Sequence, residues 1–600
     1  MRHIFKFLRI NSRIYIRRII HLISSKVELR TFIILASLVV GILSGLASAL
    51  LKNFVHFLEV EPKIYFDKWG IAFLLSFTPL LGIVLSVLVV NTFFNGKISK
   101  GISNVIYIIL RKSSDIPKVD MLSHFITSGI TVGLGGSAGL EAPIVVTGAA
   151  FGSNIAKELK FNYKTRTLLL ACGSAAGISA IFNSPVGGVI FAIEVLLPEF
   201  SIPSFIPLLI ASASAAVVSR FLYSGQLFFL VTQGWVLNAI PFYIILGILS
   251  GIISLYNIKA TFLIEDYFEK IKKQYSRAVI GGLLLCLLIF LFPSLYGEGY
   301  ITIMNLLAGN FDKIIPYSFL MTVFDKNLLL IIIALLIIVT KVFAASFTIS
   351  SGGNGGIIAP SLFIGAFTGF FLAKLLSYLG IADLNYSNFI VVGMAGVLAG
   401  TLHAPLTGIF LIAEVTGGYI LAVPLMIVTA LSFFISRHFH PNSIYSTPLF
   451  QKGIKFRSEK EKYFIQQIKV SDLIESDFVT LQPNTTLRKI VDEIIHARRN
   501  LFPVVDKNNI IVGIITLDNI REIMLNTDVY DVILAFEIMN PDFHSIDSNA
   551  DINLVLEMFE EHDVWNLVVT DKGKYCGFIS KSNIFNKYLS SWAKHQGEEI

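Results

Sequence analysis

Apolar runs long enough to cross a bilayer recur from about Thr31 to about Phe434 and then cease. The clearest are Thr31 to Leu51, Ala278 to Phe292 with its flanks, and Leu328 to Ala345 with the single Lys341. Other runs are cut by Gly, Pro or Asn, which predicts short, tilted or broken helices beside the full spans. After about Gln451 charged residues become frequent and no later run could span a membrane. The period changes there as well. Leu487 to Arg498 is amphipathic at helical spacing, whereas the Val-Val run at Val504 and the Ile-Ile run at Ile514 alternate with polar turns, as strands do. The chain reads as an all-α polytopic membrane domain followed by a soluble α/β tail.

Composition agrees: 54% hydrophobic and 15% charged residues do not describe a water-soluble globule, so the lipid bilayer is the first partner. The net charge of +7 calls for no nucleic acid, because the first thirty residues hold eight Lys or Arg against one acid, Glu28. Beside the first apolar run, that bias places the N-terminus in the cytoplasm. The basic stretch and the run after it are both too long for a cleaved signal peptide. Cys172, Cys286 and Cys576 are widely spaced in apolar contexts and read as packing residues with no disulfide or metal role.

The membrane part is duplicated. GLEAPIVVTGAAFGSNIAKEL begins at Gly139 and GIIAPSLFIGAFTGFFLAKLL at Gly356, with nine identities in twenty-one positions. Further on, Gly173, Ala175, Pro185, Gly188, Glu194 and Val195 recur as Gly393, Ala395, Pro405, Gly408, Glu414 and Val415. Two motifs in the same order in both halves predict two inverted structural repeats with a binding site where they meet. Glu194 and Glu414 stand at helix ends in both copies and read as structural. Glu141 has no counterpart, because the second copy places Ile358 there.

At Gly139-Leu140-Glu141-Ala142-Pro143 and Gly356-Ile357-Ile358-Ala359-Pro360, a glycine precedes a Pro suited to the first turn of a helix. Such a helix begins with unpaired amides and partial positive charge. If the halves meet head to head, the two starts make an anion site that needs no basic side chain. A carboxylate there would occupy the site when charged and leave it when protonated, which makes Glu141 the candidate gate.

On these residues the chain resembles the CLC chloride channels and chloride/proton antiporters over essentially its whole length. Their second and third anion signatures, G(K/R)EGP and GxFxP, correspond to the Gly139 and Gly356 motifs. The resemblance implies that Glu141 gates and that Gly139, Leu140, Gly356, Ile357 and Ile358 contact the anion, with Tyr445 as the late tyrosine. The first signature, GSGIP, is matched by Ser99-Lys100-Gly101-Ile102-Ser103 and adds Lys100, Gly101 and Ile102 to the anion set. Lys100 replaces the coordinating serine and either attracts the anion or points to the cytoplasm. Gln226 stands at the position matched to the antiporters' inner, proton-relaying glutamate, and an amide carries no proton. The expectation is therefore a passive, Glu141-gated chloride channel, with a chloride/proton antiporter as the alternative. The resemblance also implies a homodimer with one pore per subunit; a bacterial inner membrane is the expected location.

The tail repeats itself too: Phe502 to Asp506 and Gly513 to Thr516 answer to Leu567 to Val569 and Gly577 to Ser580. It resembles a tandem of CBS domains. The expected layout is a basic N-terminus over 1–30, a membrane domain over 31–450 with halves at about 31–222 and 237–436, a linker over 451–468, and CBS units over 469–526 and 531–592. CBS pairs can bind adenine nucleotides, which singles out Thr516, Asp518, Asn519, Ser580 and Asn583. Asn519 and Asn583 stand where the ribose-binding pattern has an acid, and Asp518 lies beside the first. No cofactor is required for transport; chloride or another small anion is the substrate. A divalent-cation transporter with CBS domains is the competing class, but it calls for clustered carboxylates facing a pore, where this sequence offers isolated acids. No enzyme motif is found in the sequence.

Overall fold

The computed structural model describes residues 28–68, 72–94, 96, 101–197, 204–223, 225, 234–311, 325–452, 469–497, 499–521, 523–562 and 564–587. Two compact units divide the chain, residues 1–454 and 455–600.

The first unit is helical. Its first half holds α1 (Leu29–Lys68), α2 (Thr78–Phe93), α3 (Gly101–Arg111), α4 (Asp120–Gly133), α5 (Glu141–Glu158), α6 (Tyr163–Phe182), α7 (Pro185–Phe191) and α8 (Phe205–Leu222). The second half holds α9 (Ile240–Glu269), α10 (Gln274–Leu291), α11 (Tyr300–Leu307), α12 (Lys326–Ser350), α13 (Ile358–Tyr378), α14 (Tyr386–Leu402), α15 (Pro405–Val415) and α16 (Ala422–Phe439). The short α17 (Thr447–Gln451) follows. Among the described residues, nine helices are long and apolar enough to cross a membrane. The fold is an all-α polytopic membrane domain of two inverted repeats, followed by an α/β unit.

The repeated residues do the same work in each half. Helix α5 packs on α6 as α13 packs on α14. A Cβ on Gly148 would run into the carbonyl of Gly173, and one on Gly365 into the carbonyl of Gly393. Small residues let the two backbones touch, which is how helices associate where no water drives them together. Both α6 and α14 then end on a left-handed residue, Asn183 with φ 54° and His403 with φ 56°. His403 thus serves to stop a helix, and its Nε2 lies 3.4 Å from Ser436 Oγ.

Proline opens α7 and α15, and the acids read as structural cap them reciprocally. Glu194 accepts hydrogen bonds from the amides of Leu406 (3.1 Å) and Thr407 (2.7 Å) and from the Thr407 hydroxyl (2.7 Å) at the start of α15. Glu414 accepts them from the amides of Val186 (3.1 Å) and Gly187 (2.9 Å) and from the Ser184 hydroxyl at the start of α7. Each carboxylate satisfies the orphan amides of the other half. This exchange clamps the two repeats around a pseudo-two-fold axis.

The second unit holds α18 (Leu487–His496), β1 (Leu501–Val505), β2 (Ile511–Thr516), α19 (Leu517–Ile520), α20 (Ala535–Ile538), β3 (Ser545–Asp547), α21 (Ile552–Glu561), β4 (Asn566–Asp571) and β5 (Lys574–Ser580). Strands β1 and β2 pair antiparallel, as do β4 and β5, and β3 adds a parallel edge to β4. The helix–strand–turn–strand order matches the sequence pattern; the three-residue β3 is too short to leave an alternating signature.

Removing either cap strands three donors, at a cost of about 1–3 kcal/mol. Glu194→Ala and Glu414→Ala should each lower the unfolding midpoint of the detergent-solubilised protein. Unchanged midpoints in both would contradict the clamp.

Candidate anion site at the repeat interface

The two duplicated glycine turns meet directly. Gly139 donates its amide to the Gly356 carbonyl at 2.9 Å, and Gly356 donates to the Gly139 carbonyl at 2.7 Å. This antiparallel bridge sets the start of α5 beside the start of α13. No side chain of their own N-cap residues, Leu140 and Ile357, caps either helix. By contrast, the starts of α7 and α15 are each capped through three hydrogen bonds by a carboxylate of the other repeat.

Glycine is required at both contacts. A Cβ at Gly139 would collide with Glu141 Oε2 and stand 2.8 Å from the Ala359 Cβ; one at Gly356 would lie 2.9 Å from the Ala142 Cβ. Glu141 is fully buried. Its Oε1 accepts a hydrogen bond from the Tyr300 hydroxyl at 2.7 Å. Its own amide and that of Ala359 face the carboxylate, yet Oε2 makes no hydrogen bond of normal geometry. The Tyr445 hydroxyl, also buried and without a hydrogen bond, acts electrostatically on the same carboxylate. An unsatisfied acceptor and an unsatisfied donor, both buried, are costly unless a polar partner meets them.

The other expected contacts fall as follows. Gly101, with φ 51°, opens α3, and Ile102 behind it is buried. Helix α3 packs against α5 and against α17 just after Tyr445, which brings three motif-bearing segments together. Ile358 is buried at the first position of α13 and Ile357 precedes it. The Leu140 amide is not free as the motif suggests, because Glu298 Oε1 accepts it at 3.1 Å. Lys100 and Gln226 lie outside the described residues.

Sequence reasoning missed Glu298, Tyr300 and Lys52. The signal was Tyr296-Gly297-Glu298-Gly299-Tyr300, an acid between two glycines in an apolar stretch. Both glycines adopt positive φ, 61° and 92°, which folds the loop back against the site. Lys341, noted only as an interruption of a span, is fully buried and pins this loop. Its Nζ donates to Ser137 Oγ at 2.8 Å and to the Gly297 carbonyl at 3.1 Å, and lies over the Phe363 ring at 4.6 Å. Lys52 donates to the Ala180 carbonyl at 2.9 Å and interacts electrostatically with both Glu141 and Glu298.

In the tail, the nucleotide candidates engage one another. The Thr516 hydroxyl donates to Asn519 Oδ1 at 2.6 Å in a capping box at the start of α19. Ser580 donates to Glu475 Oε1 at 2.7 Å and accepts from the Asn583 amide at 3.1 Å. Asp518 is exposed and pairs with Arg521 at 2.7 Å.

Opposed helix starts around a buried carboxylate, within inverted repeats, define a membrane anion-transport protein. The family described as voltage gated chloride channel matches residues 81–437, and the CBS domain matches residues 470–526 and 535–590. This chain belongs to that CLC family and carries its C-terminal CBS pair. The H(+)/Cl(-) exchange transporter ClcA of Vibrio cholerae serotype O1 (strain M66-2) is 29% identical over 425 residues, 66% of this chain and 84% of that protein. The chloride channel protein CLC-e of Arabidopsis thaliana is 27% identical over 556 residues, 82% of this chain and 76% of that protein. In fold, the chain is similar to a slow cyanobacterial Cl-/H+ antiporter, with a TM-score of 0.61 at 21% identity, covering 72% of this chain and all of that one.

Gly139→Ala tests the bridge. The added methyl would collide with the Glu141 carboxylate and the Ala359 Cβ, an overpacking cost of about 1–3 kcal/mol that should lower the unfolding midpoint of the detergent-solubilised protein. A wild-type midpoint for Gly139→Ala would contradict this geometry.

Proposed function

We propose that the protein exchanges chloride for protons, with Glu141 alternately plugging the anion site as a carboxylate and carrying the proton as a carboxylic acid. The observation that carries the reading is the Gly139–Gly356 bridge, which brings both helix starts to one buried carboxylate whose Oε2 has no hydrogen-bond partner. A charged carboxylate and a chloride ion compete for the same amides. Protonation removes the charge and releases the amides, so anion binding and proton uptake are linked at one residue.

The passive channel expected from Gln226 is the weaker reading. Gln226 lies outside the described residues, and the Vibrio relative is named as an exchange transporter, although the Arabidopsis one is named as a channel. Membership of the CLC family leaves the divalent-cation alternative without support.

The same proposal includes a homodimer with a pore in each subunit. Both helix starts come from one chain, so a single subunit holds a whole site. The proposed orientation has the basic N-terminus and the CBS tail in the cytoplasm, supported by the charge bias of the first thirty residues.

Chloride and external pH recorded together on proteoliposomes decide between the two readings. A chloride gradient should drive protons uphill in the wild type. Glu141→Gln and Glu141→Ala should both abolish that proton movement while anion flux persists. Wild-type chloride flux without proton movement would establish the channel instead.

A further inference from the structure

We propose that Glu298 is a second tethered carboxylate of the anion site: it holds the Leu140 amide that a transported anion would otherwise take, and it yields that amide on taking up a proton from solvent. This rests on the anion-site part of the function proposed above, not on proton coupling.

The geometry places Glu298 where an anion belongs. Its Oε1 accepts the Leu140 amide at 3.1 Å, one residue before the first turn of the 18-residue helix α5. Glu141, the residue after Leu140, is the first residue of the same helix, and its buried Oε2 has no hydrogen-bond partner. Two carboxylates therefore serve one set of amides, and they interact electrostatically with each other. Glu298 as a residue is half-buried, whereas Glu141 is fully buried.

The surrounding charges account for a coupled response. From α1, Lys52 and Glu59 both act on Glu298. Tyr300 on α11 and Tyr223 just after α8 face it as well. On α12, Lys341 acts on Glu298 while its Nζ holds the Gly297 carbonyl at 3.1 Å. Two lysines and one further acid, Glu59, thus act on this pair of carboxylates. An anion added to that cluster leaves an uncompensated negative charge in a poorly hydrated place, which is costly. One proton on Glu298 forms one O–H bond, removes one negative charge and offsets one incoming anion.

The test reads anion flux against pH in reconstituted Glu141→Gln protein, from about pH 4, near the ordinary carboxylate value, to about pH 8. Residue 298 is unchanged in this variant, so the measurement does not depend on a substitution there. The flux should still fall as pH rises, approaching about tenfold per pH unit, the limit for one proton. Adding Glu298→Gln should flatten the profile, and Glu298→Asp should restore a sloping one. A flat profile in Glu141→Gln alone, or an unchanged slope after Glu298→Gln, would overturn the proposal. Neither result bears on whether the wild type couples protons to chloride: absence of that coupling would end the antiport reading and leave the Glu298 slope intact.

Discussion

Two hydrogen bonds between Gly139 and Gly356 hold the functional architecture together. They are backbone bonds between residues at equivalent positions of the two repeats, so they fix the relative placement of the halves at the point where both helices begin. Everything at the site inherits its geometry from this contact: the nearness of the Ala359 amide to Glu141, the absence of room for a Cβ, and the convergence of partial positive charge. A side-chain contact could be remodelled by substitution. A reciprocal backbone bridge flanked by glycines leaves little freedom.

The fold uses one physical device twice, with opposite outcomes. Helix starts at α7 and α15 are filled permanently by Glu414 and Glu194, and these caps bind each repeat to the other. Helix starts at α5 and α13 are served instead by Glu141 and Glu298, which are held by one hydrogen bond each from Tyr300 and the Leu140 amide. Three bonds to a carboxylate make a rivet, and one makes a latch. Lys52 and Lys341 offset part of the negative charge that Glu141 and Glu298 bring inside the membrane domain, where unpaired charge is expensive.

What the sequence made legible was whatever the duplication had written twice. The Gly139 and Gly356 turns, the Pro185 and Pro405 helix starts and the paired Glu194 and Glu414 all stand out because a second copy confirms the first. Glu141 stood out as the exception to its copy. The CBS strands β1, β2, β4 and β5 were readable from alternation, and β3 was too short for it. Glu298, Tyr300 and Lys52 have no such partner; they reach the site from distant segments through tertiary packing. The Leu140 amide shows the consequence, since a local motif cannot reveal that a carboxylate 158 residues away already holds it.

The central claim is that the opposed starts of α5 and α13 form an anion pocket that Glu141 plugs. Anomalous diffraction from Glu141→Gln crystals grown in bromide tests it most directly. The account predicts a bromide peak between the amides at the start of α13 and the Tyr445 hydroxyl, in the space vacated by the charged carboxylate. Bromide bound elsewhere in the membrane domain, with that space empty, would contradict it.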